Sequence, residues 1–548
     1  MRLAVAVLAL LLPAASSAGE VVVTVDGCAA GTPLRPIWPY YGYDEPNYTT
    51  TAVGRDLLAA VTAANRERVY VRTHFLLNSG DGTPALKWGS TNVYTEDAQG
   101  KPVYDFRTLD GIMDAIAGAG ARPFAQIGFM PRDLSSRPEP YRNSGTYQLD
   151  GGCFYPPKDY GKWQSLVREW ARHTRERYAD AEATWQWELW NEPNIPYFKG
   201  TPADYARMFD HAEAALHEVM PRAPLGGPET AGVDAFLPGF LEHCARGVNA
   251  VTGKVGTRLD LVTFHAKGGT SVVDGHVRMN LGNQLRIHRA GFREVARFPE
   301  FRTTPIIVGE ADPDGCAACP ASKNPANAYR NVPAYGAYVA AMMKHSLDLA
   351  EREGVNLRAL LTWAWTFDAQ PLFLGYRELA TGGIHKPVLK VFEMLGKLGG
   401  TRLPVTSSGA LGLDAILADG ARGAAPDVDG LAVRDGARVL VLLWNYHDDL
   451  VPVPPARVTL SVRLPPGHGE GARLTHFRVD DTHSNAYAAW LALGSPAAPD
   501  AAQRARLEDA MRLATLAPAG RVDAPGGVVT VQTDLPRFGV SLVVVEPD

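Results

Sequence analysis

The chain has no excess of basic charge. Its 54 lysines and arginines stand against 59 acidic residues, a formal net charge of −5 over 548 residues. That balance builds no positive field for a nucleic-acid backbone or an anionic lipid surface, so neither nucleic acid nor membrane is expected as a partner. Cysteine is scarce, with five residues. The single C-x-x-C, Cys316-Ala317-Ala318-Cys319, lacks the second pair that a structural zinc site would use. No glycine-rich loop follows an early strand, which argues against a doubly wound nucleotide-binding sheet. No apolar run, the one within the first dozen residues included, is long enough to span a bilayer. There is no internal repeat and no low-complexity tail. Nothing in the sequence asks for a metal or an organic cofactor, and none is expected.

What is present is a long globular chain, 46% hydrophobic, too large for one ordinary core. Glycine (54) and proline (41) are abundant, consistent with many strand-to-helix turns. The first residues read as an export signal over 1–18: Arg2, an apolar run from Leu3 to Leu12, then the small residues Ser16-Ser17-Ala18. A periplasmic or secreted address follows as an expectation. Export permits disulfides, and the odd count of Cys28, Cys153, Cys244, Cys316 and Cys319 leaves at least one unpaired unless chains cross-link. A bridge between Cys316 and Cys319 that stiffens a loop is the expected pairing.

From about residue 37 to 400 a short apolar run alternates with a helical pattern eight times. The runs are near Pro36-Ile37-Trp38, then Arg68–Arg72, Pro123–Ile127, Thr184–Trp187, Pro224–Gly227, Leu259–Phe264, Pro305–Val308 and Leu360–Trp365. Continuous runs suit strands covered on both faces. Thr201-Pro202-Ala203-Asp204 reads as a cap and first turn of a helix reaching about Met220, and another helix is expected from about Val332 to Glu353. The fold class is therefore α/β, a (β/α)8 TIM barrel over 37–400. After Gly400 the runs Val439–Trp444, Val458–Val462 and Val540–Val545 predict a C-terminal all-β sandwich over 401–548. Glu20–Val25, within an N-terminal stretch 19–36, is expected to join it, and Ala497–Leu513 to be a helical insertion.

Two of the runs end in a carboxylate. Trp187-Glu188-Leu189-Trp190-Asn191-Glu192-Pro193-Asn194 and Pro305-Ile306-Ile307-Val308-Gly309-Glu310 each place a glutamate where a buried strand gives way to a loop. In a barrel of this kind reacting groups sit at the C-terminal strand ends. Two such carboxylates are what double-displacement cleavage of a glycosidic bond requires, with Glu192 as general acid/base and Glu310 as nucleophile. Glu188 would lie roughly 13 Å further down its strand at about 3.3 Å per residue, and is expected as an interior carboxylate held by a cation. Asn191 is placed to meet the sugar 2-hydroxyl. His265 and Lys267 share one face of strand six by the period of two, and His74 ends strand two in the same manner. Trp363, Trp365 and Phe367 alternate along strand eight as core or as sugar-stacking rings. Asp368 and Arg377 follow in the loop, as substrate contacts or as a surface ion pair.

Together these motifs resemble glycoside hydrolase family 39, which contains retaining β-D-xylosidases and α-L-iduronidases. The resemblance rests on Val69–Phe75, Trp190-Asn191-Glu192-Pro193, Gly226-Gly227-Pro228-Glu229, Phe264-His265-Ala266-Lys267-Gly268 and Gly309-Glu310-Ala311-Asp312-Pro313. It implies the same two glutamate roles and sugar contacts from His74, Asn191, His265 and Lys267. Asp480–Tyr487 and Gln370-Pro371-Leu372-Phe373 resemble the bacterial β-xylosidases. Lys267 departs from them: many have tyrosine there, whereas the iduronidases have a lysine that pairs with the uronate carboxylate, and Arg377 would be a second cation. The expected activity is release of D-xylose from β-1,4-xylo-oligosaccharides. An iduronide or other uronide or pentoside hydrolase is the alternative, and a silent carbohydrate-binding protein on the same fold the non-enzyme one.

Overall fold

The computed structural model describes residues 20–363, 365–466 and 470–548. The export segment expected over 1–18 lies outside the described residues. Among those described, no helix is long and apolar enough to cross a membrane.

Eight parallel strands form the barrel. They are β1 (Tyr40–Tyr43), β2 (Tyr70–Thr73), β3 (Arg122–Ile127), β4 (Gln186–Leu189), β5 (Leu225–Thr230), β6 (Leu261–Lys267), β7 (Ile306–Asp312) and β8. The last is broken at Leu361. Its first half, Leu357–Leu360, pairs with β7, and its second, Thr362–Trp363, pairs with β1 and closes the ring. Apolar residues fill most positions of these strands because helices cover their outer faces. Those helices are α1 (Ala52–Ala64), α2 (Arg107–Gly118), α3 (Tyr160–Arg177), α4 (Pro202–Val219), α5 (Phe236–Arg246), α6 (Leu281–Ala296), α7 (Pro333–Glu353) and α8 (Pro387–Gly396). A capping box starts α4: the Thr201 hydroxyl accepts from Asp204 N, and the Asp204 carboxylate accepts from Thr201 N.

Strand positions differ from expectation in instructive ways. β1 starts at Tyr40, after the Pro36-Ile37-Trp38 run. Pro36 and Pro39 have no N–H to donate, so the stretch before Tyr40 pairs only through carbonyls: Ile37 O accepts from Leu360 N (2.8 Å) and Pro39 O from Tyr70 N (2.9 Å). β4 begins two residues late, because Ala181–Thr184 is a short helix. β5, β6 and β7 run further than expected, which carries Glu229, Lys267, Glu310 and Asp312 inside the strands.

The C-terminal part packs two sheets face to face. One joins Val405–Ser407, Val21–Asp26, Ala456–Arg463 and Val528–Leu535, with the N-terminal strand parallel to Ala456–Arg463. The other is built on Asp427–Asp435, Arg438–Tyr446, Val540–Pro547 and Gly471–Val479. Alternate residues such as Val23, Val439, Val441, Leu460, Val462 and Val543 fill the space between them. The sandwich meets α7 through polar groups that are buried or nearly so: Lys344 Nζ donates to Asp429 Oδ2 (2.7 Å), and His345 Nε2 lies 3.2 Å from Asp427 Oδ2. The helical insertion is two helices, Ala486–Ala492 and Ala501–Ala510. Tyr487 and Trp490 pack there against Phe373 of the β8–α8 loop.

Candidate active site

Carboxylates and cations from five strands converge at the C-terminal mouth of the barrel. Arg72, near the end of β2, is the hub. It is fully buried and donates through Nε to Glu188 Oε1 on β4 and through Nη2 to Asn191 Oδ1 (3.0 Å). Its guanidinium also lies 3.4 Å from Glu229 Oε1 and 3.8 Å from Glu310 Oε1, and it stacks over the Trp363 ring. Glu188 therefore has the cation the sequence called for, below the mouth.

Glu192 follows β4 on a loop with left-handed backbone (φ 45°), and its N–H donates to the Glu229 carbonyl (2.8 Å). Trp190 and Glu229 are left-handed too. Such non-glycine positions concentrate where a site needs side chains re-aimed. His265 stands between the carboxylates. Its Nδ1 is 2.8 Å from Glu192 Oε1 and 3.9 Å from Glu310 Oε2, and its Nε2 is 3.0 Å from Glu229 Oε1. Burial opposes a charge on this imidazole, but Glu310, Glu229 and Glu192 outweigh it and raise its pKa to about 10.

Glu310, near the end of β7, accepts from Lys267 Nζ (2.7 Å), which also donates to Asp312 Oδ2 (2.7 Å). Burial pushes the Glu310 carboxyl up. Lys267, His265 and Arg72 more than reverse this and hold it well below the usual carboxylate range. Glycine is required at Gly309 because a Cβ there would lie 1.4 Å from Glu229 Oε1.

A second polar cluster forms the wall beside β1 and β8. Asp44 meets His74 Nδ1 (2.9 Å), the Lys87 ammonium and the Trp363 indole N–H (3.1 Å). An ionised Asp44 only accepts, so His74 Nδ1 carries the proton. Burial drives the His74 pKa down to about 4, leaving a neutral ring whose Nε2 has no protein partner among the described residues. The loop after β3 reaches across this wall: Tyr147 lies under the Lys87 ammonium, and its hydroxyl accepts from Ala318 N in the β7–α7 loop. Cys316 and Cys319 form a disulfide there, and Arg330 donates to both of their carbonyls. Cys28, Cys153 and Cys244 are free.

The structure thus brings together Glu192, Glu310, Asn191, His265 and Lys267, with His74 beside them. It does not bring Arg377 to the opening. That side chain is fully buried, donates to the Asp314 and Trp363 carbonyls, and lies within 3.4 Å of Asp312 and Asp314. It is neither a surface ion pair nor a direct substrate contact, because its charge is consumed beneath Asp312. Asp368 caps its own loop, with Oδ1 accepting from Ala369 N (2.9 Å), and makes no bond to the cluster. Trp363, Trp365 and Phe367 are all buried; Trp365 stacks on Tyr43, and Trp363 lies against His74. Sequence reasoning missed Arg72, Glu229, Asp312, Asp44 and Lys87 as site residues. For Glu229 and Asp312 the signal was available, a carboxylate ending an apolar run.

A parallel eight-stranded barrel with glutamates at the ends of β4 and β7 is the architecture of barrel glycosidases. The sequence profile of glycosyl hydrolases family 39 matches residues 21–522, and the chain belongs to that family. Among curated relatives it is 24% identical to a beta-xylosidase of Caldicellulosiruptor saccharolyticus over 438 residues, covering 78% of each chain. It is 27% identical to the alpha-L-iduronidase of Mus musculus over 574 residues, covering 97% of this chain and 82% of that one. A solved monomeric beta-xylosidase from Caulobacter crescentus CB15 superposes with a TM-score of 0.75 at 22% identity, covering 96% of this chain and 99% of the other. At that identity the likeness concerns the fold.

Proposed function

We propose that the chain is a retaining β-D-xylosidase in which Glu310 is the nucleophile and Glu192 the acid/base. One observation carries the mechanism. A single His265 nitrogen reaches both glutamates, at 2.8 and 3.9 Å, so the two nearest oxygens are at most about 6.7 Å apart, which favours the roughly 5–5.5 Å spacing of retention over the wider gap of inversion. The charges suit the roles. Glu310 is kept ionised by Lys267, His265 and Arg72, as a nucleophile must be. Glu192 has the more exposed side chain, 16% against 8%, so leaving group and water reach it from the mouth.

In the first step Glu310 attacks the anomeric carbon while Glu192 protonates the departing oxygen. In the second, water attacks the glycosyl-enzyme and gives its proton to Glu192. The Asn191 amide and the bare His74 Nε2 are placed for sugar hydroxyls, as donor and acceptor. A neutral sugar is favoured because the cations are already matched: Lys267 by Glu310 and Asp312, Arg377 by Asp312 and Asp314. A uronate carboxylate would find only the third Lys267 N–H, on a charge that Glu310 and Asp312 already match. The iduronide reading rests on the longer alignment with the iduronidases and on Lys267 remaining one-fifth exposed. An export signal over 1–18 would place the activity in the periplasm or outside the cell, on xylo-oligosaccharides.

The test is hydrolysis of matched aryl β-D-xyloside and aryl α-L-iduronide by wild type and Glu310→Gln. Faster xyloside turnover that the substitution abolishes is expected. Faster iduronide turnover overturns the substrate assignment. Activity that survives Glu310→Gln overturns the mechanism.

A further inference from the structure

The structure assigns Glu229 a part in the reaction proposed above: a positioning residue that acts through His265 to keep one proton shared between His265 and Glu192. Two glutamates suffice for double displacement, yet a third reaches the same imidazole and has no place in that scheme. Glu229 is completely buried on β5, and His265 Nε2 is 3.0 Å from its Oε1. The backbone is shaped to admit it, with φ of 57° at Glu229 itself and no side chain at Gly309, where a methyl group would occupy the carboxylate's place.

The groups that face this unit are Arg72 from β2, Glu188 and Glu192 from β4, Lys267 on β6 itself, and Glu310 from β7. Tyr205 of α4 lies behind it and donates to the Leu189 carbonyl. Burial disfavours charge on Glu229, but Arg72 and His265 hold it below the usual carboxylate range. An ionised Glu229 can only accept, so Nε2 keeps its hydrogen. The tautomer of His265 is then fixed, and Nδ1 and Glu192 Oε1 hold a single further proton between them.

As the bond from Glu310 to the anomeric carbon forms and the glycosidic bond breaks, the shared proton leaves through Glu192 to the departing oxygen. As water attacks and the bond to Glu310 breaks, the water proton returns to the same pair. The negative charge of Glu229 raises the proton affinity of the pair, so the pair stays loaded at higher pH than it otherwise would.

The experiment is Glu229→Gln in the full chain, which keeps the shape and removes the charge. The alkaline limb of kcat/KM on the aryl xyloside should move to lower pH by about one unit or more, given a unit charge so near the ring, while the thermal unfolding midpoint reports folding. An unmoved limb in a folded variant overturns the role. Should the variant fail to fold, nitrogen NMR of His265 in wild type decides: Nε2 protonated across the neutral range supports the assignment, and a bare Nε2 refutes it. The two readings fail separately. A Glu310→Gln protein that still turns over removes the nucleophile assignment whatever Glu229 does. With Glu310→Gln inactive, an unmoved limb removes Glu229 alone.

Discussion

Replacing Lys267 with methionine would strip two buried carboxylates of one ammonium. Nζ is 2.7 Å from both Glu310 Oε2 and Asp312 Oδ2. At an effective dielectric of about 20 each contact is worth roughly 6 kcal/mol before desolvation, which returns much of it. Removing one partner of a buried pair costs about 3–5 kcal/mol. Lys267 is itself one-fifth exposed, so a loss near 3 kcal/mol is expected, seen as a lower thermal midpoint. The catalytic signature is more specific. A carboxyl depressed in the folded state adds stability that is present above its unfolded pKa and lost as pH falls through the folded value. Losing Lys267 moves the Glu310 value upward, so the acid limb of kcat/KM on the xyloside should rise by about 1–2 pH units. Turnover near neutrality should persist, because Arg72 and His265 still face Glu310. An acid limb that stays in place would refute the reasoning. Collapse of xyloside turnover at all pH values would make Lys267 a contact to the sugar rather than to the nucleophile.

Glu188→Gln should destabilise the fold by about 1–3 kcal/mol, measured by denaturant unfolding, since the amide weakens the bond from Arg72 Nε while Glu229 and Glu310 still face that cation. Thr201→Ala should cost about 1 kcal/mol of stability through the lost cap on α4 and leave kcat/KM unchanged. His217, held between Glu213 and Asp260, has its pKa raised to about 9 although burial works against the charge. Its contribution should be complete below about pH 6.5 and vanish as pH rises through 9; His217→Gln should flatten that alkaline loss of stability, worth up to about 3 kcal/mol. Reducing the Cys316–Cys319 bridge should cost at most about 2 kcal/mol, because the loop it closes is so short.

How much of this was legible in the sequence differs from place to place. The barrel was readable because strands covered on both faces stay apolar and end in abrupt polar residues, and Glu192 and Glu310 stood at two such ends. Glu229 stood at a third, but the run expected there stopped at Gly227, and the structure carries β5 on through Pro228 and Glu229 to Thr230. Arg377 was misjudged because a charged loop residue defaults to the surface. Its partners Asp312 and Asp314 come from another strand and its loop, and no local pattern announces a compensation so distant in sequence. Arg72 was hidden likewise: on β2 it reads as strand punctuation, and its meaning comes from carboxylates on β4, β5 and β7.

The N-terminal strand has a consequence for how the molecule comes into being. Val21–Asp26 pairs in parallel with Ala456–Arg463, so the whole barrel is threaded between one strand of a sheet and the neighbour it needs. During synthesis that strand emerges ahead of the barrel and waits, with one hydrogen-bonding edge unfilled, until Ala456–Arg463 has followed. Pairings so remote along the chain are slow to form and leave an edge open to wrong partners meanwhile. The barrel can close early on contacts between successive strands, whereas the sandwich can only be completed late. A chain truncated before Ala456 would keep its catalytic strands and still present that strand with one edge open to another molecule, Val405–Ser407 covering only the other.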